Sequence, residues 1–285
     1  MASSSEAERP VKTQNDIAFA GGDGAELLGD LYMPDGVETA PILVAVHGGG
    51  WQVGNRKFYA HWGPYLARHG IAVFAVEYRL TQPGAKAYPD AVRDVVAAVE
   101  FVRANAGRYR LDPERIGLIG DSAGAHLSAL VALAGNERPF ALASSAGSDR
   151  IAAKVVVGFY GVYDTAAQWQ HDLPVRPRDN ITEKFLGAAL YADRRVYFES
   201  SPISYATVDR NTTRFLLIYG THDDVVDAQS QSQTFLVAPK QAGFFVRTVA
   251  LPGAAHFFIT DPIDDTSYGG IAGPRVVRFL RDAGF

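Results

Sequence analysis

The chain has 285 residues, of which 47% are hydrophobic and 20% charged, and its 27 Lys plus Arg against 31 Asp plus Glu give a net charge of -4. A chain of this length and ordinary globular composition can bury a large core without staples. Its mild acidity and lack of any basic run argue against a nucleic-acid surface, and the absence of cysteine excludes disulfides, thiolate metal sites and a cysteine nucleophile.

The N-terminal stretch MASSSEAERPVKTQND has no apolar core of the signal-peptide kind, and no later apolar run is long enough to span a bilayer. A cytoplasmic protein with no membrane partner is expected. Residues 1–15 are expected to form a disordered tail, followed by a single domain over 16–285. DIAFA and AELLGDLYMP flank the turn residues GGDG and read as a hairpin. PILVAV is a continuous apolar run bounded by Pro41 and three glycines, the signature of a strand buried on both faces. HWGPYLARHG reads as a short helix ending at Gly70, and IAVFAVEY as a second buried strand.

In the segment that follows, Val92, Val95, Val96, Val99 and Val102 recur at helical spacing, and the helix is expected to end at Gly107. LDPERIGLIG reads as a turn and a third strand, SAGAHLSALVALAG as a helix rich in small residues, and AAKVVVGFYG, RFLLIYG and GFFVRTVAL as further strands. A helix is expected in AQSQSQTFLVAPKQAG, and GPRVVRFLRDAG closes the chain as an amphipathic helix. Buried strands alternating with helices predict an α/β protein with a mostly parallel sheet covered on both faces. The alternation breaks over residues 165–204, which are rich in charge, proline and aromatics, and a small cap insertion is expected there.

Gly120, Ser122 and Gly124 fit the pattern Gly-x-Ser-x-Gly between a strand and a helix. A serine on so sharp a turn projects its hydroxyl above the carboxyl edge of the sheet, at the positive end of a helix. Such a nucleophile needs a base, and the base needs an orienting carboxylate. Of the seven histidines, His61, His69 and His171 lie in polar surroundings, and His222 in GTHDD is a weak candidate. His126 follows Ser122 too closely to reach back, and His47 suits the shaping of the glycine loop. His256, in the loop after the last strand, is free to cross the sheet top. Asp223 is the expected carboxylate, with Asp224 second; both follow the fifth strand, which preserves the order Ser, Asp, His. The glycines at 48–50 end a buried strand, where backbone N–H groups can stabilise an oxyanion together with the amide of Ala123. No spacing of histidines or carboxylates resembles a metal-ligand set, and no cofactor is implied.

HGGGW, YRL, YPDAVRDVVAAVEFVR, GDSAGAHL, GTHDDVVD and GAAHFF together resemble the α/β-hydrolase esterases. They are most similar to the hormone-sensitive-lipase-like carboxylesterases and their bacterial acetyl/feruloyl-esterase-type relatives, from about Glu26 to the end. The resemblance implies an α/β-hydrolase fold, the catalytic set Ser122, Asp223 and His256, and an oxyanion site made by Gly49, Gly50 and Ala123. It also implies a small-molecule ester substrate; the family often dimerises, which leaves a homodimer open alongside a monomer. Two positions depart from the usual pattern, Ala125 where glycine is common and Asp224 where proline is common, and the chain before His47 is short for an N-terminal helical cap. Arylformamidases share the architecture and carry a Trp after a related loop, so Trp51 keeps an amide-hydrolase reading beside the carboxylesterase one. A non-catalytic binding module is the third reading. Trp51, Tyr160 and Phe257 are the candidates for the substrate pocket, with Tyr163 and Trp169 assigned to the pocket or the cap.

Overall fold

The computed structural model describes residues 9–21, 23–142, 151 and 153–285. Its frame is one eight-stranded sheet in the order β1-β2-β4-β3-β5-β6-β7-β8. β1 (Val11–Ala20) and β2 (Glu26–Pro34) pair antiparallel, and β2 runs antiparallel to β4. β3 (Ala40–Val46), β4 (Ala72–Val76), β5 (Leu111–Asp121), β6 (Val155–Phe159), β7 (Arg214–Gly220) and β8 (Val246–Leu251) are parallel. Every residue of β3, β4 and β6 is buried, as their unbroken apolar runs require.

Helices cover both faces. α1 (Trp62–Arg68), α2 (Asp90–Ala104), α3 (Ala106–Tyr109) and α4 (Ala123–Ala134) lie in the first half of the chain. α5 (Thr165–Asp172), α6 (Ile181–Leu186) and α7 (Arg194–Ser200) form the segment expected as a cap, and α8 (Thr234–Gln241) and α9 (Tyr268–Asp282) follow. The core divides along the sheet. One apolar cluster joins Val44, Phe74, Leu118 and Val156 to α2 and α4; the other joins Leu43, Val73, Ile119 and Val157 to α1 and α9. Among the described residues no helix is long and apolar enough to cross a membrane.

Two expectations need correction. Residues 11–15, expected in a disordered tail, belong to β1, where residues 11–14 register against β2. Their side chains are mostly exposed, because an edge strand is held by backbone hydrogen bonds that leave little apolar pattern to read. Residues 1–8 lie outside the described residues. The valine-rich helix α2 ends before Asn105, not at Gly107. The Asn105 side chain donates to the Phe101 carbonyl, closing the turn, and Gly107 falls inside the short helix α3.

Register sets the chemistry at one edge. Val46 pairs with Gly120, and Asp121 with Phe159. His47, Ser122 and Tyr160 therefore emerge side by side at the carboxyl ends of neighbouring parallel strands, where ligands bind in open α/β sheets.

Candidate active site

Ser122 turns the chain from β5 into α4 with φ 48° and ψ −118°. A side-chain-bearing residue in this region is strained. The turn closes because its neighbours are glycines. A Cβ on Gly120 would overlap the Gly124 carbonyl, and one on Gly124 would overlap the Val46 carbonyl. Six described non-glycine residues have positive φ, and four of them, Trp51, Ser122, Tyr160 and Phe257, surround this edge.

The His256 Nε2 lies 2.9 Å from Ser122 Oγ, and its Nδ1 lies 2.7 Å from Asp223 Oδ2. The His256 and Asp223 side chains are only 2% and 1% exposed, so their hydrogen bond is shielded from competing water. Asp223 Oδ1 accepts the amides of Val225 (3.0 Å) and Val226 (2.9 Å), which fixes the carboxylate plane. Asp224, the second choice, is exposed; its carbonyl accepts His171 Nε2 at 3.2 Å. Tyr160 does not line the cavity as expected. It is 1% exposed, its ring packs 4.3 Å from His256, and its hydroxyl accepts the Ile259 amide. It supports the imidazole from the core side. Phe258 is also core, whereas Phe257 stands on the cavity wall.

The cavity above Ser122 measures about 690 Å³ and is walled by Gly49, Gly50, Trp51, Ala123 and His256. Among the described residues the amides of Gly49 and Gly50 make no hydrogen bond within the protein. Gly49 has φ +112° and Gly50 φ +58°, both positive. The loop is pinned at its root. The Gly48 amide donates to Asp121 Oδ1 at 2.9 Å, and His47 Nδ1–H donates to the Gly48 carbonyl at 2.7 Å. Tyr78, from the YRL motif, stacks on His47 at 4.4 Å and donates to its carbonyl. Burial lifts the Asp121 carboxyl to about 7, against the opposing pull of the Gly48 amide and the Tyr59 hydroxyl. Its partnership with Gly48 was not evident from the sequence, because the two are 73 residues apart.

A second buried link was also missed. The Trp51 indole N–H donates to His126 Nδ1 at 3.2 Å, and His126 Nε2–H donates to the Ser200 carbonyl at 2.8 Å. The Trp51 ring stacks on Phe185 at 4.6 Å. The glycine loop, helix α4 and the segment after β6 thus meet on one imidazole. That imidazole must stay neutral, since one nitrogen accepts while the other donates. Burial accordingly pushes its pKa down to about 4. A depressed histidine adds stability above the unfolded pKa near 6.5, and that stability is lost as pH falls toward 4. Unfolding free energy should therefore fall more steeply between pH 6.5 and 4 in the native protein than in His126→Gln, by up to about 1.4 kcal/mol per pH unit. Urea titrations across that window measure it, and equal slopes would refute this account of His126.

The segment after β6 supplies the far wall of the cavity. Gln168, His171, Asp172 and Val175 line it from α5 and the turn beyond, at spacings that share one helical face. The polar neighbours of His171 give no sign of a cavity in the sequence; the i, i+3, i+4 pattern around it is the available signal. Gln231 anchors this segment by accepting the Tyr163 and Asp164 amides. Tyr163 stacks on Phe235, and the Trp169 indole donates to Glu183, so both serve packing. Among the described residues no group of three or more histidines or carboxylates is arranged for a metal ion.

A family model described as BD-FAE matches residues 29–237. The chain belongs to the BD-FAE family. This BD-FAE member is 32% identical over 263 residues to Esterase LipC of Mycobacterium tuberculosis, a match covering 88% of this chain and 61% of that protein. It is 32% identical over 250 residues to Esterase LipQ of the same organism, covering 86% and 57%. The chain thus spans about three-fifths of the length of these relatives. An esterase from Pyrobaculum calidifontis superposes with TM-score 0.75 at 23% identity, over 97% of this chain and 87% of that one. A truncated carbohydrate esterase from gut microbiota superposes with TM-score 0.75 at 22% identity, over 98% of both chains. These likenesses establish the α/β-hydrolase fold expected from the motifs.

Proposed function

We propose that this chain is a serine carboxylesterase acting on small or short-acyl esters. The hydrogen-bonded line from Asp223 through His256 to Ser122 carries the reading, at 2.7 and 2.9 Å. His256 Nε2 takes the Ser122 proton as Oγ attacks the ester carbonyl. The amides of Gly49, Gly50 and Ala123 stabilise the tetrahedral oxyanion, aided by the N-terminal end of α4. Collapse of the intermediate breaks the bond to the alcohol oxygen, which leaves with the proton from His256. Water then attacks the acyl-enzyme through the same imidazole, releasing the acid and restoring Ser122. Named esterases among the relatives support the reaction class. The Trp51 indole, which kept an amide reading in view, is committed to His126 and Phe185 and gives that reading no observation of its own.

A fluorophosphonate probe tests the proposal directly. Intact protein should be labelled stoichiometrically at Ser122, with loss of turnover on ethyl acetate in step with labelling. An unlabelled, folded protein would return the chain to the binding-module reading.

A further inference from the structure

Nine large apolar side chains are strongly exposed among the described residues, and three of them line the mouth of the Ser122 cavity. Val53 is 63% exposed, Val175 72% and Phe257 58%. They come from the loop after β3, the turn after α5 and the loop after β8. Singly, such residues need no explanation; three around one opening form a patch that a ligand can cover.

Phe257 adds an independent observation. Its φ of +73° places a bulky aromatic residue in the left-handed region, while its ring remains exposed. Core packing does not offset that strain here, because the adjacent Phe258 is the one that enters the core. The conformation sets the Phe257 ring 4.5 Å from the His256 ring and perpendicular to it. Val53 closes another side of the mouth, with its Cγ2 beside the Cβ direction of Gly49. Ionisable groups also reach the cavity: His171, Asp172, Arg176 and Asp224. Arg176 and Asp224 bring opposite charges to the rim, so it selects for no single sign.

We propose that Phe257, Val53 and Val175 form a binding site for an apolar leaving alcohol. This rests on the carboxylesterase reading. The proton that His256 gives up goes to the departing oxygen, so the alcohol lies on the imidazole side, against the Phe257 ring. A volume of about 690 Å³ exceeds what an acetyl group and a small alcohol occupy. The favoured substrates are short-acyl esters of alcohols bearing a cyclic, aryl or long alkyl group, whose apolar surface leaves water at the cavity mouth.

The test compares ethyl acetate with 2-cyclohexylethyl acetate, whose alcohols are nearly equal in acidity, so the chemical step is held constant. A parallel arm enlarges the acyl side instead, with ethyl 3-cyclohexylpropanoate. In the native protein kcat/KM should favour the bulky alcohol by roughly tenfold or more. Phe257→Ser and Val175→Ser should each lower that ratio while leaving the ratio in the acyl arm in place. Val175 sits on an exposed turn, so its variant carries the test even where Phe257→Ser folds poorly. A native ratio near one, a shift confined to the acyl arm, or activation only once the ester aggregates would each overturn the proposal. Retained fluorophosphonate labelling alongside any of these results would leave the esterase reading intact, whereas loss of labelling would remove both.

Discussion

Asp223→Asn is expected to lower kcat on a short-chain ester by about 10⁴ while barely moving the melting temperature. The reason lies in which oxygen does what. Oδ1 accepts two backbone amides, from Val225 and Val226, and an asparagine would keep its carbonyl oxygen there. Its amide nitrogen would then occupy the Oδ2 position, 2.7 Å from His256 Nδ1. A donor in that place forces Nδ1 to accept, and the ring proton moves to Nε2. An imidazole protonated at Nε2 cannot take the Ser122 proton, so the base is lost with the geometry intact. Asp224→Asn removes a neighbouring charge from an exposed side chain and should change kcat only a few-fold. Steady-state kinetics with thermal unfolding on both variants decides the matter. Comparable losses from the two, or a collapse of stability in Asp223→Asn, would count against the assigned role.

The proposed site residues that were legible in the sequence share a property: each follows the end of a strand. Ser122 is flanked by glycines because other residues would collide with backbone. His256 and Asp223 follow apolar strands in the chain order Ser, Asp, His, which left Asp224 beside Asp223 as a second choice. The central strands β3, β4 and β6 were legible because strands buried on both faces leave continuous apolar runs. What stayed hidden depends on meetings between distant segments. Asp121 reads as part of a motif until Gly48 is seen to donate to it, and Trp51 and His126 read as separate aromatics until they are seen to bond across 75 residues. Tyr160 illustrates the converse: an aromatic just after a strand was assigned to the pocket, but strand register turned it beneath His256.

These hidden contacts explain how a strained loop stays in place. The glycine loop is tied by its root to Asp121 and by Trp51 to His126, and Ile181 of α6 packs over Gly50. The segment after β6 is therefore part of the support for the proposed donors, the Gly49 and Gly50 amides, as well as a wall of the cavity. Donors held this way need little reorganisation as charge develops, which is the condition for strong oxyanion stabilisation.

The two glycines should differ sharply when tested one at a time. Gly49 has φ +112°, outside the left-handed basin that an alanine can enter, and a Cβ there would overlap the Val53 carbonyl oxygen. Val53 is held close to this loop, because its amide and that of Gln52 both donate to the Gly49 carbonyl at 3.1 Å. Gly49→Ala must shift the loop and carry its amide off line, so kcat should fall by about 10²–10³, the usual cost of one lost oxyanion donor. Gly50 has φ +58°, and the atom nearest to an added Cβ is Ile181 Cγ2 at 3.1 Å, a side chain that can swing aside. Gly50→Ala should cost roughly 1–2 kcal/mol of stability and lower kcat less than about tenfold. Because phosphonylation builds charge on the same oxygen, the rate of fluorophosphonate labelling should fall with kcat in Gly49→Ala. A Gly49→Ala enzyme of near-native turnover, or a Gly50→Ala enzyme as impaired as its neighbour, would break the link between this loop and the developing oxyanion.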